Sequence, residues 1–369
     1  MNIDNQKLKK FLTGSAVPLL FIIISAIAIP LSKFTGIYLI REIVSRLSRD
    51  SFLVLALLLP VMAGMGINFG MILGAMAGQI GLIFITDWAV KGAPGLILAM
   101  IISTPIAILL GYFGGAVLNR AKGREMITSM MLGLFVTGIY QFFLLYICGS
   151  IIPIKSSTLL LSRGYGIRNA ITLDVASGFD KLLLVKIGSI PFPIGTYLIV
   201  ALVCVFTVWF RRTKLGQDMR AVGQDMGVSE TAGIKVEKTR IQSIIISTVL
   251  ASYGQIIYLQ NIGTLNTYNG ADQAALFAAA ALLVGGATVA KATIANATIG
   301  TALFHLMFVV MPMAGKTLTG QAMIGEYFRM FISYGVVTLA LVLHAWKRQK
   351  DKDMDRAYLR AGNTGTPAK

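Results

Sequence analysis

Long apolar runs recur along the whole chain and are separated by shorter polar segments. Each run has about 18 residues or more, enough to cross the roughly 30 Å hydrocarbon core of a bilayer as an α-helix. The runs do not alternate apolar and polar residues, so the pattern does not indicate a membrane β-barrel. We therefore predict an all-α, polytopic membrane protein with about ten transmembrane helices. The predicted spans are residues 11–31, 51–67, 69–87, 94–118, 127–148, 190–210, 241–260, 272–290, 295–313 and 325–346.

The second and third predicted spans are nearly continuous, and the break between them is rich in glycine. Gly64, Gly66 and Gly70 surround Asn68. Because glycine tolerates backbone conformations that other residues avoid, we predict that the chain unwinds near Asn68. The preceding segment, 38–50, has an amphipathic pattern and is predicted to lie as a helix on the outer surface. If it lies on the inner side instead, the number of spans changes by one.

Composition supports a membrane protein, and the distribution of charge predicts its orientation. Of the 369 residues, 56% are hydrophobic and 13% are charged, whereas soluble domains contain about 25% charged residues. The net charge of +17 arises from basic residues between the spans. Most of them lie on the side that carries both termini, which the positive-inside rule makes cytoplasmic. There is no basic and aromatic module of the kinds that bind nucleic acid, so we expect none as a partner.

This orientation predicts a simple domain organisation in the cytoplasmic (inner) membrane. Residues 1–346 are predicted to form one transmembrane domain with both termini on the cytoplasmic side. Residues 149–189 would form an external loop, and residues 211–240 a cytoplasmic one. The tail, 347–369, is charged and then rich in Gly, Thr and Pro, which is typical of a short helical extension followed by disorder.

Glycines spaced four residues apart predict close contact between helices. The main series consists of Gly66, Gly70, Gly74 and Gly78, and a shorter one of Gly111 and Gly115. In a helix this spacing places the glycines on one face, where another backbone can approach closely. Asn68, Phe69 and Gln79 lie beside the first series. Because an amide in a lipid-facing position is costly, Asn68 and Gln79 should face the bundle interior or a wet solute path.

The predicted span 241–260 is unusually polar for a transmembrane helix. It contains Tyr253, Gln255, Tyr258 and Gln260. These side chains can either hydrogen-bond the hydroxyl groups of a solute or hold neighbouring helices together. Both interpretations remain open from the sequence.

The internal loop 211–240 contains the pattern of a short capped helix. Asp225 can cap a helix over Met226–Ala232, and Gly233 can end it in the left-handed conformation. A capped helix between two spans is a suitable surface for a soluble partner. An ordinary basic loop is the alternative.

This loop resembles the cytoplasmic loop of permeases in bacterial ABC importers for ribose and other simple sugars. Relatives in that family carry branched-chain amino acids, nucleosides or autoinducer-2. The family pattern is approximately T-x-x-G-x-x-x-R-A-V-G-x-N-P-x-A-A-x-x-x-G-I. The chain matches it at Thr213, Gly216, Arg220, Ala221, Val222, Gly223, Gly233 and Ile234. It departs from the pattern at Asp225, at Met226 and at 228–229, while Leu282–Ala287 resembles a later V-L-G-G-x segment.

The resemblance implies a type II ABC importer-like permease that moves a small polar solute, first of all a simple sugar, by alternating access. The loop helix would be a coupling helix seated in an ATPase subunit. A second permease chain, identical or different, would complete the pathway, and an extracytoplasmic binding protein would deliver the solute. The residues predicted to couple to the ATPase are Arg220, Gly223, Asp225, Met226, Ser229, Glu230 and Gly233. The residues predicted to line the substrate pathway are Asn68, Phe69, Gln79 and Gln255.

The chain is not expected to be an enzyme or to carry a cofactor. Gly315-Lys316-Thr317 lacks the first glycine of a phosphate-binding loop, because Val310 stands there. ATP and magnesium would therefore be bound by the partner ATPase. With two histidines and no Cys/His cluster, the sequence offers no metal site and no convergent catalytic set.

Other transporter classes make different demands on the sequence. An ion-coupled secondary carrier would require paired charges within the membrane, and no pair of midspan carboxylates is evident. His305 lies in an apolar span and is interpreted as a packing residue, with a proton relay as the alternative. Glu326 and Arg329 are three residues apart and can pair on one helix face. Within the ABC class, nucleosides, autoinducer-2 and branched-chain amino acids remain alternative cargoes.

Overall fold

The computed structural model describes residues 16–175, 178–321 and 323–331, together with positions 334, 335, 338 and 342. The start of the first predicted span, half of the last span and the tail 347–369 lie outside these residues.

The described chain is mostly helical. Before the first strand, the α-helices are α1 (Ala16–Ser32), α2 (Gly36–Ala56), α3 (Leu58–Met62), α4 (Ile72–Asp87), α5 (Gly92–Arg120) and α6 (Glu125–Phe142). After it they are α7 (Gly178–Leu182), α8 (Ile194–Phe210), α9 (Lys214–Gln224), α10 (Met226–Thr231), α11 (Val236–Ile262), α12 (Gly270–Val284) and α13 (Ile294–Thr319). A 3-10 turn (Phe69–Met71) leads into α4, and a π-helical turn (Phe143–Ile147) extends α6. Residues 323–331 are helical as well.

Several of these helices are long and apolar enough to cross a membrane. Within the described residues there are five: α4 with its preceding turn, α5, α6 with its following turn, α11 and α13. A sixth is obtained if α8 and α9, which are bent by 74° at their junction, are taken as one span. Helices α1 and α12 are apolar but shorter. The chain is therefore a helical, multi-pass membrane protein.

The predicted boundary between a surface helix over 38–50 and a span beginning at residue 51 is wrong. Helix α2 runs without interruption from Gly36 to Ala56. Ser48 and Asp50, at the predicted boundary, are already buried in the bundle. Arg49 and Asp50 have partners on other helices, so their polarity does not require the helix to end.

The break after α3 is confirmed, whereas the span predicted over 272–290 is too long. Gly64 and Gly66 both have positive φ, of 72° and 71°, and regular helix resumes only at Ile72. Helix α12 ends at Val284 because Gly286 has a φ of 82°, and a non-helical segment precedes α13.

The region predicted as a loop over 149–189 contains regular structure, so the all-α class needs a small correction. Strand β1 (Ala170–Thr172) pairs antiparallel with β4 (Thr264–Asn266), which directly follows α11. Strands β2 (Leu184–Ile187) and β3 (Ile190–Pro193) form a hairpin. The span predicted from residue 190 therefore becomes helical only at Ile194.

Helix α11 occupies the centre of the bundle and contacts α2, α4 and α5. The glycines predicted to permit close packing do so against this helix. A Cβ atom on Gly78 would lie 2.5 Å from the Ser252 carbonyl oxygen, and one on Gly111 would lie 2.9 Å from the Ile245 Cα atom. Gly66 and Gly70 are exceptions, because Gly66 lies in the unwound segment and Gly70 in the 3-10 turn, where the nearest atoms belong to Asn68 and Ser129.

Candidate functional site

The loop over 211–240 folds into a helical hairpin, α9–α10, that leads into α11. The Asp225 side chain caps α10 by accepting a hydrogen bond from the backbone N–H of Val228 at 2.9 Å. Gly233, with a φ of 82°, ends it in the left-handed conformation. The backbone N–H of Ile234 donates to the Ser229 carbonyl at 3.0 Å, which closes a Schellman motif. The predicted cap and the predicted terminator are both confirmed.

Most residues predicted to couple to a partner lie on the outside of this hairpin. Arg220, Met226 and Glu230 are exposed, and Val228, which was not predicted, exposes 66% of its surface. Ser229 is different, because only 3% of it is exposed. Its hydroxyl donates to the Asp225 carbonyl at 2.6 Å. Ser229 therefore stabilises the first turn of α10 and is not part of the free surface of the hairpin.

A buried ion pair beneath α10 was missed by the sequence analysis. Arg240, near the start of α11, is fully buried, and its guanidinium donates to the carboxylate of Glu125, the first residue of α6. A second guanidinium nitrogen lies 3.1 Å from the Met226 sulfur. Arg240 thus connects the hairpin to α6 and α11. In the sequence it was only one of several basic residues in a polar loop.

An open groove of about 750 Å³ lies beside the hairpin, between the end of α5 and the start of α11. Glu230 and Gly233 from the hairpin region line it, as does Lys122. Lys122 and Glu237 face each other at 3.7 Å and are both largely exposed. Apolar residues such as Ile241 and Ile245 line it as well, so the recess next to the hairpin is of mixed character.

Two of the predicted pathway residues meet at the start of the short helix α12. Gln79 and Gln255 are both fully buried. The Tyr140 hydroxyl donates to Gln79 Oε1 at 2.9 Å, and Gln255 Nε2 donates to the carbonyl of Gly270 at 3.4 Å. Gln79 Nε2 lies 3.0 Å from the point that a Cβ atom on Gly270 would occupy. Within the described chain, Gln79 Nε2 and Gln255 Oε1 have no hydrogen-bond partner.

The other two predicted pathway residues, Asn68 and Phe69, lie before the start of α4, whereas Gln79 is in the middle of that helix. Both are buried. Asn68 Oδ1 accepts a hydrogen bond from the Gly70 backbone N–H at 2.9 Å and so caps the 3-10 turn. The Phe69 backbone N–H donates to the Ser129 hydroxyl at 3.2 Å. Eleven residues separate Asn68 from Gln79, which corresponds to roughly 16 Å of helix, so the four residues do not form one cluster.

A buried charged cluster joins α2 to α13. Asp50 Oδ2 lies 3.2 Å from His305 Nε2 and 3.2 Å from Arg49 Nε. Arg49 also contacts Asn261 at 3.4 Å and lies over the ring of Tyr258. His305 is thus a paired residue of the bundle interior. The sequence analysis placed Asp50 on the surface and therefore missed this pair.

The structure also shows the positions of two other segments discussed from the sequence, the Gly-Lys-Thr segment and the Glu326–Arg329 pair. Gly315-Lys316-Thr317 lies inside α13, which continues to Thr319, so this segment does not form a phosphate-binding loop. Glu326 and Arg329 form the predicted ion pair, and the guanidinium lies 3.6 Å from the centre of the Phe308 ring.

Comparison with known proteins gives a consistent class. The xylose transport system permease protein XylH of Haemophilus influenzae is 31% identical over 29% of this chain and 28% of its own. The fructose import permease protein FrcC of Rhizobium meliloti is 24% identical over 76% of this chain and 73% of its own. The nucleoside ABC transporter permease protein NupB of Lactococcus lactis is 24% identical over 52% of this chain and 51% of its own. No solved structure matches significantly.

The helical bundle and these similarities define a membrane permease. Residues 51–342 match the family described as the permease component of the branched-chain amino acid transport system. The chain belongs to this family. The match begins in α2 and runs through the hairpin α9–α10 to the last residue that the structure describes.

Proposed function

We propose that this chain is the permease subunit of an ATP-binding cassette importer that carries a simple sugar across the cytoplasmic membrane by alternating access. Several relatives are named as permeases for xylose, fructose or galactose. A nucleoside is the second candidate cargo, because the name of one relative specifies it. Uptake of labelled sugars and nucleosides into proteoliposomes that contain the whole transporter distinguishes the two.

The observation that carries this proposal is the capped, exposed helix α10. Both its ends are fixed, by Asp225 and by Gly233, and its apolar residue Val228 faces outwards. Met226 is 36% exposed, although its sulfur contacts Arg240. An exposed apolar surface on a rigid, polar hairpin fits a docking role. In this proposal α10 is the coupling helix and a separate ATPase subunit receives it. ATP-driven closure of two ATPase subunits would then move the hairpin and switch the pathway between outward and inward access.

The partners and the orientation proposed for this chain are those of a type II importer. A second permease chain would complete the pathway, and an extracytoplasmic binding protein would select the solute. About ten spans over 1–346, with both termini and the tail 347–369 in the cytoplasm, would place the hairpin on the side where ATP is available. The ATPase subunits would bind the ATP and magnesium.

Replacing Val228 by aspartate is expected to remove the ATPase from the complex. A charge at the centre of an apolar contact must be desolvated without a partner, which lowers the affinity at least tenfold. Co-purification of tagged permease with the candidate ATPase measures the effect. Ile187→Asp is the matched control, because Ile187 is equally exposed, at 66%, but lies in the β2–β3 hairpin. Equal recovery of the ATPase with both variants would contradict the docking role of α10.

The buried amides at Gly270 are proposed to form part of the solute pathway, with Asn68 and Phe69 at its other end. Among the described residues, the donor group of Gln79 and the acceptor group of Gln255 have no hydrogen-bond partner. A sugar hydroxyl is both donor and acceptor, and it can satisfy both when the helices separate.

Replacing Gln255 by leucine is therefore expected to reduce sugar transported per ATP hydrolysed about tenfold, while the complex still assembles. The number corresponds to the loss of roughly one hydrogen bond to the solute. Gln141→Leu is the control, since Gln141 donates instead to the carbonyl of Tyr268, which precedes α12. A packing role for Gln255 predicts the reverse: lower stability and an unchanged ratio of transport to hydrolysis.

A further inference from the structure

The hairpin α9–α10 touches the unwound segment after α3 through backbone atoms at Gly223 and Gly64, next to a side-chain cluster that includes Met219 of α9. Gly223 is in the last turn of α9, and Gly64 directly follows Ala63, the C-cap of α3. A Cβ atom on Gly223 would lie 2.2 Å from the Met62 carbonyl oxygen and 3.0 Å from the Gly64 nitrogen. A Cβ atom on Gly64 would lie 2.8 Å from the Gly223 Cα atom. At these two glycines no side chain separates the two backbones.

The segment on one side of this contact has the geometry of a hinge. Helix α3 ends in a Schellman motif, in which the Gly64 N–H donates to Val61 O at 3.1 Å and the Met65 N–H to Pro60 O at 3.0 Å. Gly64 and Gly66 both have positive φ. The next residues are Asn68, which caps the 3-10 turn, and then α4. A change in the backbone angles here would reorient α3 relative to α4 without breaking either helix.

The other side of the contact is rigid and short. Only Gln224 separates Gly223 from Asp225, the cap of α10. Below α10, Arg240 ties Met226 to Glu125 and prevents the hairpin from turning freely. Displacement of α10 therefore moves Gly223 together with it.

We propose that the contact between Gly223 and Gly64 is the point at which movement of the hairpin enters the membrane bundle. Backbone atoms in van der Waals contact transmit a displacement directly, because no flexible side chain lies between them to absorb it. The hinge at Gly64–Gly66 converts this displacement into a rotation of α3 against α4. Both glycines are positioning residues. This inference rests on the proposed coupling role of α10.

The test compares alanine at each contact glycine with alanine at two matched glycines. Gly223→Ala introduces a Cβ atom into the contact at a helical position. Gly138→Ala adds a Cβ atom at a helical position in α6, where nothing lies within 4 Å. Gly64→Ala adds both the contact and the strain of a positive φ, whereas Gly164→Ala, with a φ of 84° and nothing within 4 Å, adds the strain alone. Each variant is reconstituted with its ATPase and binding protein in proteoliposomes.

The added Cβ atoms would lie 2.2 Å and 2.8 Å from backbone atoms, so we expect Gly223→Ala and Gly64→Ala to shift the hairpin and to lower the yield of complex. The assembled fraction is purified, and its activity is normalised to the amount of complex. Stimulation of hydrolysis by solute-loaded binding protein and solute uptake should each fall at least tenfold. The two control variants should behave as wild type. Stimulation and uptake at wild-type levels in an assembled Gly223→Ala complex would overturn the inference. An absence of stimulation in the wild-type complex would instead overturn the proposed importer function.

If the alanine variants do not assemble, the inference is tested on the unmodified complex instead. Hydrogen exchange of the amides over 63–68 is compared with and without a non-hydrolysable ATP analogue. A hinge driven through Gly223 should change its exchange rates at least threefold, while α5 stays constant. Unchanged exchange over 63–68, alongside altered exchange in the hairpin, would overturn the inference.

Discussion

Replacing Arg240 by methionine should destabilise the protein by about 3–5 kcal/mol, because it leaves a buried carboxylate without its partner. The Arg240 side chain is fully buried and the Glu125 side chain is 11% exposed. Glu125 then has neither enough water nor a cation to stabilise its charge. Loss of folded, monodisperse protein in detergent, together with a lower unfolding temperature, measures the effect.

The double variant Arg240→Met with Glu125→Gln separates the ion pair from the shape of the site. Removing both charges should recover a large part of the loss, since a buried pair replaced by neutral residues is often tolerated. Lys122→Met is the control, because the Lys122–Glu237 pair is exposed and should contribute less than about 1 kcal/mol. If Arg240→Met and Lys122→Met are equally stable, the pair beneath α10 does not exist as described.

Local sequence rules were sufficient for the elements whose stability is local. Asp225 and Gly233 predict the start and end of α10 because a cap and a left-handed terminator act within a few residues. The break near Asn68 is predicted for the same reason, since the positive φ of Gly64 and Gly66 is a property of glycine. The apolar runs likewise predict membrane helices, because length and hydropathy are properties of a single segment.

The errors of the sequence analysis concern residues whose partners are distant along the chain. Asp50 looked like a surface residue, but its partner His305 is on α13 and buries it. Arg240 looked like a loop charge, and Glu125, which pairs with it, is 115 residues away. From sequence alone, a charged residue is expected to be exposed, because its buried partner is not known. As a result, two helices were predicted to begin at the wrong residue, one at residue 51 and the other at residue 241.

The glycine series illustrates both kinds of result. Its spacing correctly predicts that another backbone lies close to α4, because side chains are missing on one face. The spacing does not identify the partner, which is α11 for Gly74 and Gly78 but α5 for Gly81. It also does not show that Gly66 stands outside the helix. Packing partners are selected by the whole bundle, and one segment of sequence does not contain that information.

Replacing Gly74 by leucine should prevent correct assembly of the bundle. A Cβ atom at this position would already lie 2.2 Å from the Thr248 carbonyl oxygen and 2.8 Å from the Ala251 Cβ atom. These are atoms of the central helix α11 and cannot rotate away as a flexible side chain would. Overpacked cores lose about 1–3 kcal/mol, and a clash with backbone should reach or exceed the top of that range.

Separation of α4 from α11 would also disturb Gln79, which is held between Tyr140 and the start of α12. The Gly74→Leu variant should therefore aggregate or elute broadly in size-exclusion chromatography, with a marked drop in unfolding temperature. Gly138→Leu provides the control: it is also a helical glycine, in α6, and nothing lies within 4 Å of its position. Wild-type elution and stability of Gly74→Leu would show that α4 and α11 do not touch, and the amide cluster at Gly270 would lose its structural basis.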